Sequence, residues 1–204
     1  AKQHGYESVS FGQYAPPYGH RSFKSWQQAT QAYQAELLRR QIETLRRLKY
    51  RPTGGFCFHH LIDSSPAVSA SIVDHRGDPK LAFQAVREAC LPVIVVADRF
   101  PAELVPGSTL SLDIQIINDL NEMLPDAIVE AELHWPGDSR TWRYTGTITA
   151  DSVLRVGTLS WIVPETIGPA TLTLRLSGPI NASNRYDCLL YTSDAADEGL
   201  GVDL

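Results

Sequence analysis

Long hydrophobic runs are missing from this chain. No stretch of eighteen apolar residues occurs in its 204 residues, so no helix of bilayer-spanning length is predicted and no membrane partner is expected. Cysteine is scarce: Cys57, Cys90 and Cys188 are the whole complement. They show no C-x-x-C spacing and have no histidine at metal-ligand distance, so structural zinc is not expected. Cys57, in an apolar run, and Cys90, at a helix end, are expected to act as small buried hydrophobes. A cytoplasmic location follows as the expectation, with secretion as the alternative. A strong charge of one sign is missing too. The formal net charge is -5, but Asp194, Asp197, Glu198 and Asp203 all fall in residues 188–204, and the remainder is within one charge of neutral. A near-neutral body offers no electrostatic case for binding nucleic acid or an anionic membrane. No internal repeat, metal motif or cofactor motif occurs, and none of these ligands is expected.

What is present suits a folded chain, because 43% of the residues are hydrophobic and 20% are charged, enough to bury a core in one or two domains. The N-terminus, Ala1-Lys2-Gln3-His4-Gly5, has neither a basic-then-apolar leader pattern nor an initiator methionine. The chain is therefore expected to begin inside a longer protein. Residues 1–24 read as a loop rich in Tyr6, Phe11, Tyr14, Tyr18 and Phe23, where His4 and His20 are candidates for a lid or for simple self-packing. Ser25-Trp26-Gln27-Gln28 suggests a helix start. Trp26, Ala29, Tyr33, Leu37, Ile42, Leu45 and Leu48 follow at helical spacing until Pro52 and Gly54-Gly55. The basic cluster Arg39, Arg40, Arg46, Arg47, Lys49 and Arg51 complements the end of that helix and coats its solvated face. Phe56-Cys57-Phe58-His59-His60-Leu61-Ile62 reads as a strand buried in a parallel sheet. Asp78 and Pro79 then read as the cap and first position of a second helix reaching Cys90.

After Leu91-Pro92 the hydrophobic period changes from 3.6 to 2. Strands are predicted near 93–97, 109–118, 127–135, 140–149, 153–163, 170–177 and 184–190. The alternations Leu110, Leu112, Ile114, Ile116 and Leu172, Leu174, Leu176 are the clearest of them. Seven short antiparallel strands in this length match an immunoglobulin-like sandwich.

Three stretches carry a family resemblance: Tyr33-Gln34-Ala35-Glu36-Leu37-Leu38-Arg39, Thr53-Gly54-Gly55-Phe56 and Asp74-His75-Arg76-Gly77-Asp78-Pro79-Lys80. Together with Leu45-Arg46-Arg47-Leu48-Lys49-Tyr50, they resemble the region around the last barrel strand and helix of β-mannosidases in glycoside hydrolase family 2. The fold implied is an α/β barrel fragment followed by an all-β immunoglobulin-like sandwich, with residues 1–91 as the end of a catalytic (β/α)8 barrel and 92–187 as the sandwich. Residues 188–204 match, codon by codon, a translated transposase-type sequencing adapter, so native sequence is expected to stop near Asp187.

The resemblance implies a retaining β-glycosidase, in which two carboxyl groups about 5 to 5.5 Å apart act as acid and nucleophile. It places both glutamates in a missing N-terminal part of the same polypeptide, so no catalytic residue is assigned here. Glu7 lacks the nucleophile's context, while Glu36 and Glu43 share a solvated or inter-helix face. Residues at the C-terminal end of a barrel strand face substrate, which nominates Phe58, His59, His60 and Asp63 for a carbohydrate substrate. Where such mannosidases commonly carry Trp-Gln-Leu-Asn-Asp, this chain has His59-His60-Leu61-Ile62-Asp63, matching only Leu61 and Asp63. Mannoside specificity is therefore left open, and a non-catalytic carbohydrate-binding protein on a degenerate barrel is the alternative. Asp63 is either a sugar ligand or a turn cap before Ser64-Ser65-Pro66. His59 and His60, on a strand, would point to opposite sides.

Overall fold

The computed structural model describes residues 9, 11–12, 15–101 and 104–190, without the Leu189 side chain. The expectations for His4, Tyr6, Glu7 and Tyr14, and for residues 191–204, lie outside the described residues. The chain divides into two compact units, Ala1–Leu91 and Pro92–Leu204.

The first unit is helical. A 3-10 turn at Pro17–Gly19 precedes helix α1, Phe23–Arg47, and helix α2 spans Leu81–Ala89. The cap of α1 is Ser22, one turn before the predicted Ser25. The Ser22 hydroxyl accepts from the Ser25 backbone N–H at 3.1 Å and the Ser25 hydroxyl accepts from that of Ser22 at 3.2 Å, a reciprocal box that satisfies two orphan donors. The start of α2 is also displaced from the predicted Asp78-Pro79. Asp74 Oδ1 accepts from the backbone N–H groups of Arg76 (2.8 Å) and Asp78 (2.9 Å), which holds 74–78 in a side-chain-closed turn and delays the helix until after Lys80. Ile42 of α1 packs with Ala82, Val86 and Ala89 of α2 and with Ile72. Arg46, expected on the solvated face, is instead buried and donates to the Ala89 carbonyl, capping the C-terminus of α2. Near the N-terminus, Trp26 donates to the Ala15 carbonyl at 2.8 Å and its ring meets those of Phe11 and Phe23, while Tyr18 is exposed.

The expectation of an α/β barrel fragment is overturned. Among the described residues most of the regular structure is β-sheet, with two principal helices, and both sheets are antiparallel. Residues Phe56–Ile62 form no strand; among the described residues of this segment there is a single isolated bridge, Ile62 with Val73. A buried parallel strand needs a hydrogen-bonded neighbour and covered faces. This run has only that one bridge at its end and no covered face: Phe56, Phe58, Leu61 and Ile62 are exposed. Cys57 and Cys90 are exposed as well, contrary to the expectation that they fill core space.

The second unit is a two-sheet sandwich. Its strands are β1 (Val93–Ala97), β2 (Thr109–Asn118), β3 (Leu124–Trp135), β4 (Asp138–Ile148), β5 (Ser152–Ile162), β6 (Gly168–Ser177) and β7 (Ala182–Leu190). One sheet has the order β1-β2-β5 and the other β4-β3-β6-β7. The strand count is that of an immunoglobulin-like sandwich, with the fourth strand joining the third rather than the fifth. Leu112, Ile116, Leu159 and Trp161 from the first sheet meet Leu133, Ile148, Leu172 and Leu174 from the second in one core. Each buried leucine or isoleucine there stabilises the fold by about 1.5–3 kcal/mol. Asn184 Nδ2 donates to the Val95 carbonyl at 3.2 Å and to Tyr186 Oη at 2.9 Å, while that hydroxyl accepts from the Ala97 N–H at 3.3 Å. These bonds stitch β7, at one sheet's edge, to β1 of the other. β7 continues to Leu190, which is buried and pairs with Gly168, three residues into the segment read as adapter.

Candidate functional site

The nominated residues sit on the segment between the two helices. Phe58 is exposed, and His59 and His60 beside it are exposed as well. The two imidazoles do not alternate. His60 has φ of 67°, a left-handed backbone that histidine tolerates better than most residues. It swings the second ring back over the first, with centroids 3.6 Å apart and planes inclined by 36°. His59 and His60 therefore stack as a pair open to solvent, and with the exposed Phe58 that precedes them in sequence they are called the ledge.

Asp63 is unlike the other three. Its side chain is 5% exposed, and Oδ2 lies 2.8 Å from Lys80 Nζ, whose own side chain is 9% exposed. Oδ1 accepts from the hydroxyls of Ser69 and Ser71. Lys80 Nζ donates in addition to Ser71 Oγ at 2.9 Å and Ser69 Oγ at 3.3 Å. Burial pushes the Asp63 carboxyl up. Hydrogen bonds from Lys80, Ser69 and Ser71, with the Lys80 charge, outweigh it and hold the group below the ordinary aspartate value. The backbone continues the closure: Asp63 N–H donates to Val73 O at 3.1 Å, Val73 N–H to Leu61 O at 3.0 Å, and Lys80 N–H to Ile72 O at 2.9 Å.

The hydroxyls of Ser69 and Ser71 lie 2.8 Å apart, and with Lys80 they line up as a lysine–serine–serine relay would. Proton abstraction needs a nitrogen lone pair and a reachable nucleophile. Lys80 spends its three donors on Asp63, Ser69 and Ser71, and Ser71 is fully buried, so the cluster is an ionic latch and not a nucleophile. Other acids are also engaged or enclosed. Glu36 pairs with Arg39 and Arg40 on α1, and Glu43 is buried. Among the described residues no group of three or more histidine, cysteine, aspartate or glutamate side chains is placed to hold a metal. No described helix is long and apolar enough to cross a membrane.

Sequence reasoning reached Asp63 but missed Lys80, Ser69 and Ser71, because residues joined across a loop leave no periodic trace. The only signal was the Asp-x-x-Gly-Asp-Pro-Lys run that ends in Lys80.

A two-sheet antiparallel sandwich joined to a pair of helices defines the structural class. No family model matches the chain, and no curated protein matches it in sequence. Among solved structures the fold is similar to that of the β-D-mannosidase from Dictyoglomus thermophilum, with a TM-score of 0.67 and 19% identity. The match covers 84% of this chain but 20% of the mannosidase, so the chain spans about a fifth of that enzyme's length. Sporulation control protein Spo0M from Bacillus subtilis (TM-score 0.34, 12% identity, 50% of this chain and 49% of that one) is far more distant. The E. coli curli protein CsgC (TM-score 0.34, 8% identity, 46% and 97%) is equally so.

Proposed function

We propose that this chain is a non-catalytic portion of a β-glycoside hydrolase of the β-mannosidase kind. In this reading the rest of a longer polypeptide supplies the two catalytic carboxylates, and the chain contributes a sandwich together with the Phe58–His60 ledge. The observation that carries it is the fold similarity to a β-D-mannosidase over 84% of the chain. The ledge has suitable chemistry, since aromatic faces take the apolar C–H face of a pyranose and imidazole nitrogens hydrogen-bond hydroxyls. Asp63, held by three partners, serves the ledge by fixing the chain that follows it in place of binding sugar directly.

The acids on this chain argue against hydrolysis by the chain alone, because Asp63 and Glu36 are paired and Glu43 is buried, and a retaining mechanism needs two that are free. The test has two parts. The genomic reading frame on both sides of the fragment is sequenced, and the whole protein is assayed against aryl β-mannoside, β-galactoside and β-glucuronide. Hydrolysis of one of these by the whole protein, and none by the 204-residue chain, is the expected result. A frame lacking any upstream catalytic region, or an inactive whole protein that still binds sugar, would replace the enzyme with a carbohydrate-binding protein.

A further inference from the structure

We infer that Lys80 is a positioning residue for the ledge, acting through Asp63 to fix where Phe58, His59 and His60 stand. The inference rests on the reading of that ledge as sugar-facing. Lys80 lies at the start of α2, in the N-cap position, and its N–H is bonded to Ile72. It is thus anchored to the helical core through a neighbour that packs with Ile42, Ala82 and Val86. Asp63, the residue it grips, follows His60 by only Leu61 and Ile62, and Leu61 and Asp63, on either side of Ile62, are both bonded to Val73. A non-glycine residue keeps a left-handed backbone only where its surroundings over-determine it. His60, at φ 67°, is exposed and its ring meets the equally exposed ring of His59, so the backbone that follows it is what ties it to the buried part of the unit. The Asp63 latch and the Val73 bridge are the contacts that supply that tie.

Removing the ammonium leaves a nearly buried carboxylate with only two hydroxyl donors, a state relieved by exposing Asp63 to water. The backbone at Leu61–Asp63 then loosens, His60 leaves the left-handed region, and the imidazoles separate. A ligand that needs the stacked arrangement loses affinity in proportion to the fraction of molecules that keep it.

The experiment uses the full chain with 13C-labelled histidine, reading the imidazole signals of His59 and His60 by NMR, first without ligand. Stacked rings shift each other's resonances, so both signals are expected away from random-coil positions in the wild type. Lys80→Met is expected to return them toward random coil, and Lys80→Arg to keep them near wild-type positions, with the helical circular-dichroism signal retained in each. Unchanged imidazole signals in Lys80→Met overturn the inference. If Lys80→Met loses its helix signal, Ser69→Ala takes its place, since it weakens the latch without uncovering a charge. An intermediate shift supports the inference and no shift overturns it. Methyl β-D-mannopyranoside is then titrated in. Saturable shifts at His59 and His60, about tenfold weaker in affinity for Lys80→Met, are expected. Equal affinity overturns the positioning role, whereas a wild type that ignores the sugar overturns only the sugar-facing reading, because the ligand-free signals report the positioning separately.

Discussion

Asn118 ends β2 fully buried, and its side chain answers three backbone groups at once. Nδ2 donates to the carbonyls of Glu122 and Thr149, each at 2.9 Å, and Oδ1 accepts from the Leu120 N–H at 3.0 Å. One amide thus closes both the β2–β3 loop and the β4–β5 turn. Asn118→Ala leaves those groups unpaired, at about 1–3 kcal/mol for each that water cannot reach. A loss of about 3 kcal/mol in urea unfolding of the sandwich is expected; a loss below about 1 kcal/mol would mean that the loops rearrange freely. Asp63 gives a second prediction at this scale. Its carboxyl is held below the ordinary value of 3.8. The stability it contributes is therefore complete above that value and is lost as pH falls from there through the lower folded value. Acid titration of the first unit should show a steeper loss of helical signal below about pH 4 in the wild type than in Asp63→Asn. Parallel profiles would show that the latch contributes nothing measurable.

At the scale of elements, Gly168 at the start of β6 is set by its neighbour. Its φ is 141°, and a Cβ there would lie 2.7 Å from Pro136 Cγ in the β3–β4 turn. Gly168→Ala combines a backbone conformation open essentially to glycine with a clash against a ring that bends little. A cost of about 1–3 kcal/mol is expected in thermal or urea unfolding, and a neutral result would mean that the turn moves aside. The strands themselves were easy to read. Leu110, Leu112, Ile114 and Ile116 are all buried, and each predicted strand lies within three residues of its observed ends, because a sheet with one wet face writes a two-residue period into its sequence. Helix existence was legible for the same kind of reason, but helix ends were not, since Ser22 and Asp74 set them through local hydrogen bonds that several nearby residues could have offered. Phe56–Ile62 was misread because a short apolar run is only a strand when a partner lies alongside, and periodicity carries no information about partners. His60 shows the same limit within the candidate site: alternation assumes extended backbone, and one left-handed residue stacked the rings together.

The two units of the molecule enclose cores of different size. The sandwich encloses apolar side chains from all seven strands, mostly leucines, isoleucines and valines with Trp161. The helical unit holds a small cluster around Ile42, Ile72 and Val86 while leaving apolar side chains in water. Leu37 is 41% exposed, Leu61 60%, Ile62 52%, Leu81 52% and Phe83 38%, drawn from α1, the intervening loop and α2. Soluble monomers seldom expose large contiguous apolar patches, and the helical unit bears several such side chains within 91 residues. The chain is therefore expected to bind anilinonaphthalene sulfonate in its folded state and to associate as its concentration rises. The double variant Leu37→Glu and Leu81→Glu, both at exposed positions, should reduce dye binding and shift sedimentation toward monomer while leaving sandwich unfolding unchanged. Loss of association without any change in the sandwich would assign the sticky surface to the helices. A wild-type chain that remains monomeric and dye-silent at high concentration would show that these side chains are shielded, and the helical unit would then need no further covering.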